Sequence, residues 1–242
     1  MLVIKLDAIE STNDYLKQLS KDKTLENFTI VLANSQTKGR GQMGTQWTSE
    51  PGKNLIMSLL AKDLVLDSFS IFDINVAVAL SAAKTLLQLD VPNVKIKWPN
   101  DIMADSKKVG GILIENSLKT DGSLTAIIGI GINLNQTDFK HLPQASSLAC
   151  VTHKSFDIDE FAAVLAKTLQ KHIQLLPESV DDFWNGYSAL LFRRNEIAVF
   201  EDKSGKRFNG IIQNVSRNGK LAILLEDDTI EHFDLKEIKM LY

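Results

Sequence analysis

Residues 107–135 read KKVGGILIENSLKTDGSLTAIIGIGINLN. Two isoleucine-rich runs, VGGILIEN (109–116) and LTAIIGIGINLN (124–135), flank a polar turn at 119–122, the pattern of two strands joined as a hairpin. Just upstream, VKIKW (94–98) alternates valine and isoleucine with lysine, the period-2 pattern of a half-buried strand. NLIMSLLAK (54–62), FTIVLANSQ (28–36) and residues 2–6 are further strand-like runs. Helical patterns lie between and after them. Ser11 or Thr12 caps a helix with Tyr15, Leu16 and Leu19 on one side, and a long apolar helix covers 70–89. Residues 157–176 repeat apolar side chains at Ile158, Phe161, Leu165, Leu169 and Ile173. From Asn195 onward the helical period stops. EIAVF, RFNGIIQNV, KLAILLE and TIEHF are separated by Ser204-Gly205, Asn218-Gly219 and Asp227-Asp228, and Asn-Gly between apolar runs signals a tight hairpin whose two central residues take positive φ. The chain therefore reads as α+β: a mixed β-sheet with helices packed on it over 1–190, then a small β-barrel over 191–242.

At 242 residues the chain holds one large domain, or one of ordinary size plus a small one. Its 44% hydrophobic and 24% charged residues fit a soluble globular protein. A net charge of −3 speaks against a general nucleic-acid binder, although a local basic cleft fits inside that average. The lone Cys150 excludes an internal disulfide framework and suits a reducing cytoplasm. MLVIKLDAIE lacks the apolar core of a secretory signal. Asp73, Asn75, Ser81 and Lys84 interrupt the apolar helix, which reads as a core helix too polar to span a membrane. A cytoplasmic protein without membrane contact is the expectation.

Polar motifs interrupt this scaffold. QTKGRGQMG (36–44) sets Arg40 between two glycines with Lys38 just before them. Lacking Cβ atoms at Gly39 and Gly41, such a loop can bring backbone N–H groups against an anion, but it also reads as a surface turn and matches neither the P-loop nor the dinucleotide fingerprint. KWPND (97–101) puts a cation, an aromatic ring, a proline and two short polar groups at a strand end, either a binding cluster or a strand stop with an Asx-type turn. In KKVGGILIE, Lys107 and Lys108 precede a Gly-Gly that permits close approach to the strand; a solvated lysine pair is the alternative. GIGINLN ends on Asn133 and Asn135, which cap a turn or bind a ligand. Arg193 and Arg194 reach phosphate or stay solvated at a domain junction.

Taken in order, with STN at 11–13 and Trp47 beyond the glycine loop, these motifs resemble the biotin protein ligase family, the biotin–[acetyl-CoA-carboxylase] ligases or holocarboxylase synthetases, over residues 11–135. The resemblance implies a class II synthetase-like catalytic domain followed by an SH3-like barrel. It implies that ATP activates biotin to biotinyl-5′-AMP, and that biotin then passes to one lysine of a biotin carboxyl carrier protein or domain of a biotin-dependent carboxylase. Mg²⁺ is expected through the ATP phosphates, with no protein ligands assigned. By the same resemblance Lys108 is the catalytic lysine, aided by Arg40. The biotin side comprises Ser11, Thr12, Asn13, Gln36, Gly39, Arg40, Gly41, Gln42, Trp47, Lys108, Gly110 and Gly111, while Arg40, Gln42, Lys97, Trp98, Asn100, Asp101 and Asn133 face ATP. Asp101 is the candidate to take the proton of the attacking lysine. Loop 39–44 is expected to close over the ligand, Lys38 and Arg40 adding positive charge.

Two departures carry expectations. The family's loop often reads Gly-Arg-Gly-Arg, whereas Gln42 stands at the second arginine position, so a weaker hold on biotinyl-AMP is expected. The chain enters the catalytic fold within its first dozen residues, the form without an N-terminal helix-turn-helix domain, so no DNA partner and no repressor role are expected. A homodimer is compatible with the sequence but leaves no mark in it. The rival readings are a lipoate-type ligase or acyltransferase of the same fold, and a non-catalytic biotin- or adenylate-binding regulator. An apolar dithiolane would not need Ser11, Thr12 and Gln36, and Lys108 argues against the regulator.

Overall fold

The computed structural model describes residues 1–22, 24–65, 69–120 and 122–242. In chain order the first part contains β1 (Val3–Ile9), α1 (Thr12–Leu19), β2 (Ile30–Gln36), β3 (Leu55–Leu64), α2 (Ile71–Gln88), β4 (Lys95–Lys97), β5 (Asp101–Ala104), β6 (Lys107–Leu118), β7 (Leu124–Ile132), α3 (Leu148–Thr152) and α4 (Ile158–Leu190). The second part contains β8 (Ile197–Asp202), β9 (Arg207–Val215), β10 (Leu221–Leu224), β11 (Ile230–Phe233) and β12 (Ile238–Leu241). The first seven strands form one sheet in the order β1-β2-β3-β7-β6-β5-β4, parallel only between β1 and β2. The last five form an antiparallel sheet in the order β11-β10-β9-β8-β12.

Side-chain alternation sorts the large sheet's two faces. Ile30, Leu32, Leu59, Ala61 and Ile128 join the main core under α2 and α4, while the intervening Val31, Leu60 and Ile127 pack with Leu16 of α1 on the other face. Side-chain caps start the helices: Ser11 Oγ accepts from the Asp14 N–H, Ser70 and Asp73 exchange hydrogen bonds as a capping box, and Asp157 accepts from the Glu160 N–H. Asp73 is buried, and its other oxygen accepts from Trp184 Nε1 at 2.5 Å, tying α2 to α4.

The second sheet is seated on the first. Ile96 of β4 bridges to Leu191, and Phe200, Ile212, Leu221 and Ile223 belong to the same continuous core as α2 and α4. In the β9–β10 loop, Arg217 lies 5.0 Å from the Trp184 ring and pairs with Asp181, and the Gly219 carbonyl accepts from Trp98 Nε1 at 2.9 Å.

Several expectations need correction. The helix expected over 157–176 runs on to Leu190. Pro177 cannot donate to the preceding turn and Ser179 leaves helical geometry (φ −133°, ψ 26°), yet Phe183, Trp184 and Tyr187 carry the apolar face back into the core. At Asn218-Gly219, Ser204-Gly205 and Asp227-Asp228 only the second residue has positive φ, so these turns are not the type expected. Strands β5 and β12 have no counterpart in the sequence reading. β5 joins β6 through Asp105 and Ser106, both at positive φ. Of the β6–β7 turn, Asp121 lies outside the described residues; Gly122 donates to the Lys119 carbonyl. By length and composition α2 is apolar enough to cross a membrane, contrary to expectation, but 67% of that segment is buried inside the protein.

Candidate functional site

One cavity of about 350 Å³ opens between the large sheet, the glycine loop and the second sheet. Its polar end is built where β1 gives way to α1. Ser11, Thr12 and Asn13 are buried at the helix start, and Gln36, at the end of the neighbouring β2, accepts from the Thr12 N–H at 2.7 Å and from its hydroxyl at 3.0 Å. Asn13 is fully engaged by protein: Oδ1 accepts from Ser58 at 2.6 Å, and Nδ2 faces the Leu113 carbonyl at 3.3 Å and Glu115 at 2.9 Å. It braces the pocket, leaving Ser11 and Gln36 with groups to offer a ligand. A side chain at Gly129 would overlap Asn13, so this strand position is small because the asparagine crosses it.

The glycine loop is a narrow hairpin. Gly41 N–H donates to the Thr45 carbonyl at 2.7 Å, Trp47 N–H donates to the Gly39 carbonyl at 3.0 Å, and the tip holds Met43 at φ 62°. The Trp47 indole lies over β7, where a Cβ on Gly131 would come within 2.5 Å of the ring, so the missing side chain lets an aromatic wall lie flat on the sheet. Its buried Nε1 has no partner among the described residues, a donor left over for something in the cavity. Arg40 is held by Asp14 at 2.5 Å and Glu115 at 3.2 Å, so an incoming anion must draw it off two carboxylates. Lys38 pairs with Glu10 at 2.7 Å on the exposed side and does not line the cavity, contrary to the role expected of it.

At the other end the β5–β6 hairpin sets Lys108 beside Asp101, Nζ to Oδ1 2.5 Å, while Lys97 approaches the other carboxylate oxygen at 3.6 Å. Burial holds the Lys97 ammonium below the usual lysine range; Asp101 opposes this, and the charges of Lys108 and Lys239 add to it. The Tyr242 ring lies 4.9 Å from Lys97 Nζ. Asn100 Nδ2 donates to the Ile112 carbonyl at 2.7 Å, which fixes the strand end. The charged residues lining the cavity are Arg40, Lys97, Lys108, Lys236 and Lys239 against Asp101 alone. A protein of net charge −3 thus has a locally cationic hollow, which suits a polyanion. Among the described residues there is no group of three or more His, Cys, Asp or Glu able to hold a metal ion.

Most of the predicted positions meet here: Ser11, Thr12, Asn13, Gln36, Arg40, Gly41, Gln42, Trp47, Lys97, Trp98, Asn100, Asp101, Lys108 and Gly111 line the cavity. Gly39, Gly110 and Asn133 do not. Gly39 closes the loop hairpin, Gly110 sits against Ile132, and Asn133 Nδ2 donates to the Ser146 carbonyl at 3.0 Å. Arg193 and Arg194 also lie outside the lining; Arg194 Nε donates to the Gln213 carbonyl at 2.9 Å. The sequence reading missed Gly129 and Gly131, whose spacing of two along a strand was the available signal, and Lys236 and Lys239, for which there was none.

The profile of the biotin/lipoate A/B protein ligase family matches residues 6–133, more than half of the chain. The chain belongs to that family. Among ligase relatives, the bifunctional ligase/repressor BirA of Escherichia coli (strain K12) is 27% identical over 236 residues, taking in 94% of this chain and 70% of that one. The BirA of Bacillus spizizenii is 38% identical over 138 residues, but that match takes in only 55% of this chain and 41% of the relative. A solved biotin protein ligase from Aquifex aeolicus, in complex with biotin and ATP, superposes with a TM-score of 0.80 at 26% identity, over 99% of this chain and 98% of that one. The biotin/lipoate ligase assignment thus accounts for both sheets, since the structural match spans nearly the whole chain.

Proposed function

We propose that this protein is an ATP-dependent biotin ligase, which activates biotin to biotinyl-5′-AMP and transfers it to a lysine of a biotin carboxyl carrier protein or domain. The observation that carries the reading is the cationic cavity lined by Lys108 and Asp101 together with the buried Ser11 and Thr12, the half-buried Gln36 bonded to Thr12, and the Trp47 indole. In the first step a biotin carboxylate oxygen attacks the α-phosphorus, the bond to the β-phosphate oxygen breaks, and pyrophosphate leaves. Two anions must be brought together, and the Lys108 ammonium lies where it can neutralise both. In the second step the acceptor amine attacks the acyl carbon and AMP leaves; in this reading Asp101, a carboxylate that lines the cavity, takes the proton of the amine.

The polar end suits a ureido ring, whose carbonyl and N–H groups need partners that Ser11 and Gln36 can supply. An apolar dithiolane would leave them unpaired, which disfavours a lipoate substrate. Mg²⁺ enters this reading with the triphosphate: the substrate phosphates would hold it, since the described residues offer no cluster of three or more carboxylate, histidine or cysteine ligands, and when bound it would neutralise charge on the leaving pyrophosphate. A cytoplasmic location, compatible with the free thiol of Cys150, belongs to the same proposal. Exchange of labelled pyrophosphate into ATP tests it: exchange is expected with biotin present and not with lipoate. Exchange supported by lipoate alone, or by neither acid, would overturn the reading.

A further inference from the structure

Of the cations around the cavity, three are already matched: Lys97 and Lys108 by Asp101, and Arg40 by Asp14 and Glu115. The other two come from the second sheet. Lys236, in the turn before β12, and Lys239, within it, line the cavity and make no ion pair or side-chain hydrogen bond among the described residues. The cross-strand neighbour of Lys239 is Glu201, but that carboxylate is engaged by Arg207 at 3.2 Å. Beyond Lys239 the strand is anchored to the first sheet: Tyr242 lies under Lys97, stacks edge-on with Phe192 at 5.7 Å, and accepts at its backbone oxygen from Gln144 Nε2 at 2.7 Å. Lys239 is close enough for its charge to be felt at Lys97. It therefore stands at the nucleotide end of the cavity, on the side away from Ser11 and Gln36.

We infer that Lys239, with Lys236 beside it, holds the β- and γ-phosphates of ATP and stabilises the pyrophosphate as it leaves. The inference rests on the ligase reading above and adds to it a phosphate grip supplied by the second sheet. When the α-phosphorus bonds to the biotin carboxylate oxygen, the electron pair of the broken bond stays on the departing pyrophosphate oxygen. The negative charge that grows there needs a cation not already committed to a protein carboxylate. Lys108, between the two reacting acids and paired with Asp101, is spent on the other side of the same bond. A mobile ammonium suits a tail of phosphates that must be gripped and then released.

The test uses the full chain in magnesium-containing buffer and compares calorimetric binding of ATP, AMP and biotin. Lys239→Ala is expected to weaken ATP about tenfold while AMP and biotin stay within about twofold, because only ATP carries the phosphates in question. Lys239→Arg is expected to keep most of the ATP affinity, and the KM for pyrophosphate in the exchange assay should rise in Lys239→Ala in parallel with the ATP loss. Equal losses for AMP and ATP, or no loss for ATP, would overturn the inference. So would an effect confined to the KM for the acceptor protein, which would make Lys239 a docking contact. Should the wild-type protein show no biotin-dependent exchange, the ligase reading fails, and the ATP–AMP difference still decides the role of Lys239. Melting curves separate these outcomes from misfolding, with Lys239→Gln as a second variant.

Discussion

The Lys108 ammonium lies 2.5 Å from the Asp101 carboxylate, a diagonal contact in the β5–β6 hairpin, where Asp101 is paired with Gly111 and Lys108 with Met103 across a register shift. The turn that makes this possible, Asp105 and Ser106 at positive φ, is local, whereas the other partner of Asp101, Lys97, arrives on the adjoining edge strand. A carboxylate bonded from both sides holds two flexible lysines in place, so part of the entropy of ordering them is met before any ligand binds.

Lys108→Ala should reduce biotin-dependent pyrophosphate exchange by at least about 10²-fold, the scale for removing a charge-stabilising group from a reacting centre. Lys108→Arg should not restore it, since a planar fork cannot take the place of a compact ammonium between two acids. Asp101→Asn, which frees the ammonium without deleting it, should cost less than Lys108→Ala. Exchange rates measured beside melting temperatures check this; an alanine variant that turns over like the wild type would remove Lys108 from the chemistry.

Gly131→Ala puts a methyl group where the Trp47 ring now lies, 2.5 Å from the nearest indole atom. Overpacking of this kind costs about 1–3 kcal/mol, and here the relief available is outward movement of the ring. The expected result is a loss of biotin affinity with little change in ATP affinity, read by calorimetry, and partial recovery when Trp47→Phe is added. Full biotin affinity in the single variant would mean that the indole does not form the pocket wall.

At the loop tip, Gln42 lines the cavity without a charge. With Arg40 already committed to Asp14 and Glu115, the loop brings little uncompensated positive charge to a bound adenylate. Gln42→Arg should therefore slow dissociation of biotinyl-AMP, by several-fold if the guanidinium gains one charge-assisted hydrogen bond. Release of the adenylate from pre-loaded protein measures it directly, and an unchanged rate counts against the idea.

What the sequence disclosed and what it hid divide along the range of the interactions. Helix starts at Ser11, Ser70 and Asp157 and the β6–β7 hairpin were legible because each is written within a few residues. The continuation of α4 past Pro177 was hidden, since the local signal says stop and only packing of Phe183, Trp184 and Tyr187 against α2 says otherwise. In the cavity, the motif residues of the first sheet could be named because their spacing carries a chemical pattern. Lys236 and Lys239 could not, because KEIKM looks like any charged surface strand until pairing with β8 brings it to the wall of the cavity.

His172 supplies a pH dependence in the core, remote from the site. Its Nδ1 lies 2.8 Å from Ser81 Oγ, and Ser81 gives its single proton to the Ala77 carbonyl at 2.6 Å, so the ring donates to Ser81 from Nδ1. Burial first, then the facing charges of Lys84 on α2 and Lys171 on α4, push its pKa down from 6.5 to about 4. As pH falls from neutral through 6.5 toward 4, the unfolded chain takes up a proton that the folded one refuses, so stability is lost across that window, levelling off below it. The loss from this one group is on the order of 3 kcal/mol at most. His172→Phe keeps the edge contact available to Phe183 and leaves Ser81 bonded to Ala77, but cannot titrate. Urea unfolding at pH 7 and pH 4.5 should show the variant losing less stability on acidification than the wild type; equal losses would place the acid sensitivity elsewhere.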